Sequence, residues 1–92
     1  MTIERLLADE LYQYMKRLQE LLQQRGAAAL AEAVQFATCF AGGSTTEFYA
    51  EAQKVLREIS EGHRQVLGGQ ECDELRGVLE RINMEFRMIG GA

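Results

Sequence analysis

Apolar residues recur through the first quarter of the chain at steps of four and three: Ile3, Leu7, Leu11, Tyr14, Leu18 and Leu21, widened by Leu6, Met15 and Leu22. Arg5, Asp9, Gln13, Lys16, Gln19, Glu20 and Gln23 fall on the other side of a 3.6-residue period, so 3–24 is predicted as an amphipathic helix. Thr2 is its N-cap candidate, and Gly26, after Arg25, suits a left-handed C-terminal cap. The next stretch, AAALAEAVQFATCFA over 27–41, is polar only at Glu32, Gln35 and Thr38. A helix apolar nearly all round is expected to be enclosed by its neighbours, and alanines let those neighbours come close. Leu30, Ala33, Val34, Ala37, Phe40 and Ala41 form its expected main face, with Ala29 and Phe36 beside it. A buried dimer surface is the other use of such a segment.

With no proline in the chain, the nine glycines mark the breaks. Gly42 and Gly43 are expected to supply the positive φ that ends the second helix. Ser44 to Glu47 reads S-x-x-E, a capping box that opens the third, with Phe40 and Phe48 placed to clasp across the turn. Phe48, Ala52, Val55, Leu56 and Ile59 carry the stripe of a helix over 45–62, which Gly62 ends or bends. Cys72, Leu75, Val78, Leu79, Ile82, Phe86 and Ile89 carry that of 71–88. Its acids Glu71, Asp73 and Glu74 come first and Arg76, Arg81 and Arg87 later, as the helix dipole favours. The three short connections at Gly26, Gly42-Gly43 and Gly68-Gly69 fold successive helices back on one another. The prediction is an all-α chain, one domain over 1–92, built as a small up-down four-helix bundle. A three-helix layout with the first two segments partly continuous is the alternative.

Composition narrows the function classes. Ninety-two residues with 47% hydrophobic and 26% charged side chains suit a folded domain. The net charge of −4 comes without a basic stripe, and Lys16-Arg17 is the one adjacent basic pair. Nucleic acid is therefore not an expected partner. No run approaches the roughly 20 apolar residues that cross a bilayer, so no membrane role is expected. The start, with Glu4 and Arg5, does not look like a signal peptide. Cys39 and Cys72 are expected as reduced, packed thiols of a cytoplasmic protein.

Candidate chemistry is sparse. His63, the single histidine, projects between Leu56 and Ile59 on the apolar side, while Glu58 and Glu61 point elsewhere, so no acid-base partner is set beside it. If the helix breaks at Gly62, His63 lies in a loop. Two cysteines 33 positions apart and one histidine do not make a metal site, and no cofactor is expected. The chain is not expected to be an enzyme, although a hydrolase or transferase built from distant residues is a third reading. Met84 and Met88, a turn apart and opposite the core stripe of the last helix, and Gly77 on the same side form a candidate partner surface. Glu58 and Glu61 belong to an acidic edge that would steer a basic partner. In size, acidity and helical content the chain resembles the bacterial immunity proteins, which cover a basic toxin; that resemblance of shape implies inhibition by contact. The expected function is protein–protein interaction, as an inhibitor, chaperone or adaptor, or as a homodimer. A small-molecule pocket between helices, lined by Phe36, Phe40, Phe48, Tyr49 and His63, is the runner-up.

Overall fold

The computed structural model describes the backbone of residues 8–88 and the side chains of 8–87. Four helices follow in order, α1 (Ala8–Gln24), α2 (Ala28–Thr38), α3 (Thr45–Gly62) and α4 (Gly69–Met88), with short 3-10 turns at Cys39–Gly42 and Arg64–Val66. No strand occurs among the described residues. The chain is a small all-α four-helix bundle. Thr2, Ile3, Leu6, Leu7 and Ile89, named above, lie outside the described residues, as does the side chain of Met88.

Each connection is made by local chemistry. Gly26 has φ +79; its N–H donates to the Gln23 carbonyl at 3.2 Å and the Ala27 N–H to the Leu22 carbonyl at 2.9 Å. These two bonds are a Schellman cap, which needs a residue at ease in the left-handed region. The second connection departs from expectation. Neither Gly42 nor Gly43 takes a positive φ; α2 instead tightens into the 3-10 turn, and Gly43 leaves it at φ −109. The Ser44 hydroxyl then accepts the Glu47 N–H at 3.4 Å, the hydroxyl half of the expected capping box. Phe40 stands edge-on to Phe36, with centroids 5.4 Å apart, and packs against the core cluster to which Phe48 belongs. α3 stops at Gly62, and α4 starts two residues before the predicted boundary because the Glu71 carboxylate accepts the Gly68 N–H at 2.7 Å. A glutamate three places after the cap thereby holds a donor that the helix leaves unpaired.

Leu11, Met15, Leu18 and Leu22 of α1, Phe48, Ala52, Leu56 and Ile59 of α3, and Leu75 and Ile82 of α4 form the centre of the core. The second segment needs correction. Only Leu30, Ala31, Val34 and Ala37 of α2 are buried; Ala28, Ala29, Phe36 and Cys39 are exposed, and Ala33, Phe40 and Ala41 half-buried. α2 is thus enclosed on one side and open on the other. In a bundle this small a helix has neighbours on part of its circumference only. An alanine methyl has so little area that leaving it in water costs little, so alanines do not report which side turns inward. Cys39 is not the packed thiol expected, whereas Cys72 is half-buried with its Sγ 3.8 Å from the Arg64 carbonyl; both are free.

Candidate functional site

Two surface features stand out among the described residues. The first is a line along α2 and into the turn after it, Ala29, Ala33, Phe36 and Phe40 at steps of four, three and four, of which Ala29 and Phe36 are exposed while Ala33 and Phe40 pack against the core. That spacing returns side chains to one line along a helix. Phe36 is 60% exposed, the large hydrophobic side chain that the bundle leaves in water. Its ring is propped on edge against Phe40, which packs in turn against the core, so it is held upright. Ala28, Glu32 and Gln35 are exposed as well, and Glu32 lies one turn before Phe36 on the same side. The sequence pattern marked Phe36 as lying beside the α2 core face, and its outward setting follows from where α1 and α3 stand.

The second is a trough between α1 and α4. Tyr14, Arg17 and Glu74 line two adjoining hollows, one of about 210 Å³ with Leu18, Leu21, Leu67 and Glu71, the other of about 340 Å³ with Glu10, Gly77, Val78 and Arg81. Three ion pairs cross it. Arg25 grips Glu71 through its two terminal guanidinium nitrogens, at 2.6 and 2.8 Å, and also donates to the Val66 carbonyl at 2.7 Å. Arg17 meets Glu74 at 3.8 Å and Arg81 meets Glu10 at 3.3 Å. The Arg25 bond, then the Gly68 N–H, holds the Glu71 carboxyl below the usual carboxylate range. Tyr14 lies beneath, 7% exposed, and burial first, then the Glu74 charge, pushes its phenol well above the ordinary range. The trough is an interhelical seam with an apolar floor of Tyr14, Leu18, Leu67 and Val78 and a rim of ion pairs.

The residues singled out from sequence are scattered over this framework. Gly77 is half-buried on the α1 side, in the trough, while Met84 is half-buried in a separate hollow of about 280 Å³ among Glu80, Asn83 and Arg87. Gly77 and Met84, two turns apart on α4, line different hollows. Glu58 and Glu61 are exposed on the outer side of α3. The five residues proposed for an apolar pocket are not gathered either. Phe48 and Tyr49 are fixed in the core, stacked at 6.3 Å, and Tyr49 meets Phe86 edge-on. Phe36 turns to solvent, while Phe40 is half-buried against the core. His63 ends α3, half-buried, its N–H donating to the Ile59 carbonyl and its carbonyl accepting from Val66.

Sequence reading missed the Arg25–Glu71 clasp, whose partners are 46 positions apart, and the burial of Glu85, 4% exposed on the core side of α4. A glutamate three residues past Ile82 does carry a signal, since it continues the line of the apolar stripe. No group of three or more His, Cys, Asp or Glu side chains is placed to hold a metal ion among the described residues, and no described helix is long and apolar enough to cross a membrane.

Fold and surface together define a class: a four-helix bundle with one helix left uncovered on an apolar side. Compared with protein families, with curated proteins and with solved structures, the chain matches none.

Proposed function

We propose that the protein works by contact with a protein partner, docking it on the outward side of α2, and that it carries no catalytic step. The observation behind this reading is Phe36, 60% exposed and propped by Phe40 on a helix whose outward side also carries Ala28, Ala29, Glu32 and Gln35. Single exposed leucines or valines are common on folded proteins, but an aromatic ring set in an apolar line is how interfaces place their anchors. With roughly 200 Å² for a phenylalanine side chain and about 25 cal/mol per Å², covering the exposed part of Phe36 is worth about 3 kcal/mol. Small flanking alanines let a partner helix approach the backbone, and a weakly charged flank lowers the desolvation that docking costs.

The experiment compares Phe36→Asp with the unchanged chain as bait in its native lysate, with Met84→Asp as a second surface control. Proteins retained by wild type and by Met84→Asp but lost from Phe36→Asp, with helical content equal by circular dichroism, are the expected outcome. Identical retention by all three overturns the assignment of the face.

A further inference from the structure

We propose that the trough between α1 and α4 binds a free apolar α-amino acid, its ammonium on Glu74, its carboxylate on Arg17 and Tyr14, and its side chain against Leu18, Leu21 and Leu67. The site is separate from the α2 face and does not depend on it. Tyr14 carries the inference. The residue is 7% exposed, it lines both hollows of the trough, and its hydroxyl has no hydrogen-bond partner among the described residues. A tyrosine buried to this degree ordinarily has one. The charges that act most strongly on its phenol are Glu74 and then Arg17, both residues of the trough, so the hydroxyl opens toward the trough rather than into the core. Protonated at neutral pH, it offers a donor without an acceptor.

The charges on the rim select the class of ligand. Arg25 is engaged by both oxygens of Glu71 and by the Val66 carbonyl. Arg17 and Glu74 meet only at 3.8 Å, with side chains 68% and 57% exposed, which is beyond hydrogen-bond length and adds little to folding. Both of them line both hollows. A simple cation would meet Glu74 and be repelled by Arg17, and a simple anion the reverse. A zwitterion answers both, replacing one long ion pair with two charge-assisted hydrogen bonds, and its carboxylate has a second oxygen to accept from the Tyr14 hydroxyl. The ammonium and carboxylate of an α-amino acid, attached to one carbon, have the close spacing that this pair requires. The hollow beside Leu18, Leu21 and Leu67 holds about 210 Å³, room for a single side chain, and its leucine wall gives a polar group nothing to bond. A ligand of about a dozen non-hydrogen atoms, at ordinary efficiency per atom, binds with a dissociation constant on the order of 1 mM.

Amide NMR spectra of the full chain, recorded as L-phenylalanine is added to about 20 mM, span that constant. Saturable shifts along the facing turns of α1 and α4, with the outward side of α2 unmoved, are expected. Tyr14→Phe, which removes only the hydroxyl, and the surface changes Arg17→Gln and Glu74→Gln should each raise the dissociation constant at least about fivefold with circular dichroism unchanged. Phenethylamine and 3-phenylpropanoate, which keep the ring and one charge each, should bind at least about fivefold more weakly than the amino acid. Equal binding by either of them overturns the zwitterion. Saturable shifts that all three substitutions leave unaltered place the ligand elsewhere and overturn the site. Spectra that do not saturate overturn the proposal outright and leave water as the partner of Tyr14, without touching the α2 reading, which the Phe36→Asp retention experiment decides.

Discussion

Phe36 and Phe48 are the same residue type twelve positions apart in sequence, and their surroundings give them opposite roles. Phe48 is 0% exposed at the centre of the core, so Phe48→Ala removes its contacts and leaves a cavity, costing about 3–5 kcal/mol. Phe36→Ala removes a ring mostly in water and should change monomer stability by no more than about 0.5–1 kcal/mol. Urea denaturation of both variants, at concentrations where the chain is monomeric, measures the contrast; comparable losses would mean that Phe36 is structural. Tyr14 supports a further test. Its phenol titrates higher in the folded chain than its ordinary value of 10.0. The unfolded chain therefore releases that proton first, so the stability it contributes is whole below pH 10 and is lost as the pH rises beyond it. Urea midpoints across that range should fall for wild type and fall less for Tyr14→Phe.

At the scale of the elements, the glycines separate what a turn requires from what it merely tolerates. Gly26 holds φ +79 with open space around it, so Gly26→Ala meets no clash and still costs about 1–2 kcal/mol for the left-handed backbone. Gly77 sits inside α4, where an added Cβ meets nothing within 4 Å. Gly77→Ala should therefore stabilise the fold by about 0.5–1 kcal/mol; thermal melts of the two variants should move in opposite directions, and a loss at Gly77 would reveal packing across the trough that the bundle's geometry does not require. These boundaries were largely legible from the letters. The Gly26 cap, the Ser44 box and the end of α3 at Gly62 each depend on residues within four positions, and such short-range bonds survive almost any tertiary context. The Gly42-Gly43 turn was read less well. Its chain path is decided by Phe40 and Ala41, which lean on the core and draw the end of α2 into a 3-10 turn.

For the whole molecule, ion pairs rim the seam of α1 and α4 above the apolar core the two helices share. Folding favours ionised Glu71, whose carboxyl titrates below its ordinary value of 4.5. The contribution of the Arg25 pair is therefore whole above that value and is lost as the pH falls through the lowered one. Urea midpoints should decline on acidification for wild type and decline less for Glu71→Gln, and added salt should narrow the difference, since the pair is open to solvent. An acid limb identical in both chains would show that the clasp adds nothing to folding. Neither this pair nor the trough it crosses could be read in advance, because its partners meet only after three turns have been made. The helices, their ends and their count were already present in the spacing of leucines, caps and glycines, because periodicity and capping act over one or two turns of chain. Which side of the alanine-rich α2 faces inward, that Phe36 is left in water while Phe48 is covered, and that Arg25 finds Glu71 were settled only when the helices packed. Burial depends on where neighbours stand, and a methyl group is nearly indifferent to the choice.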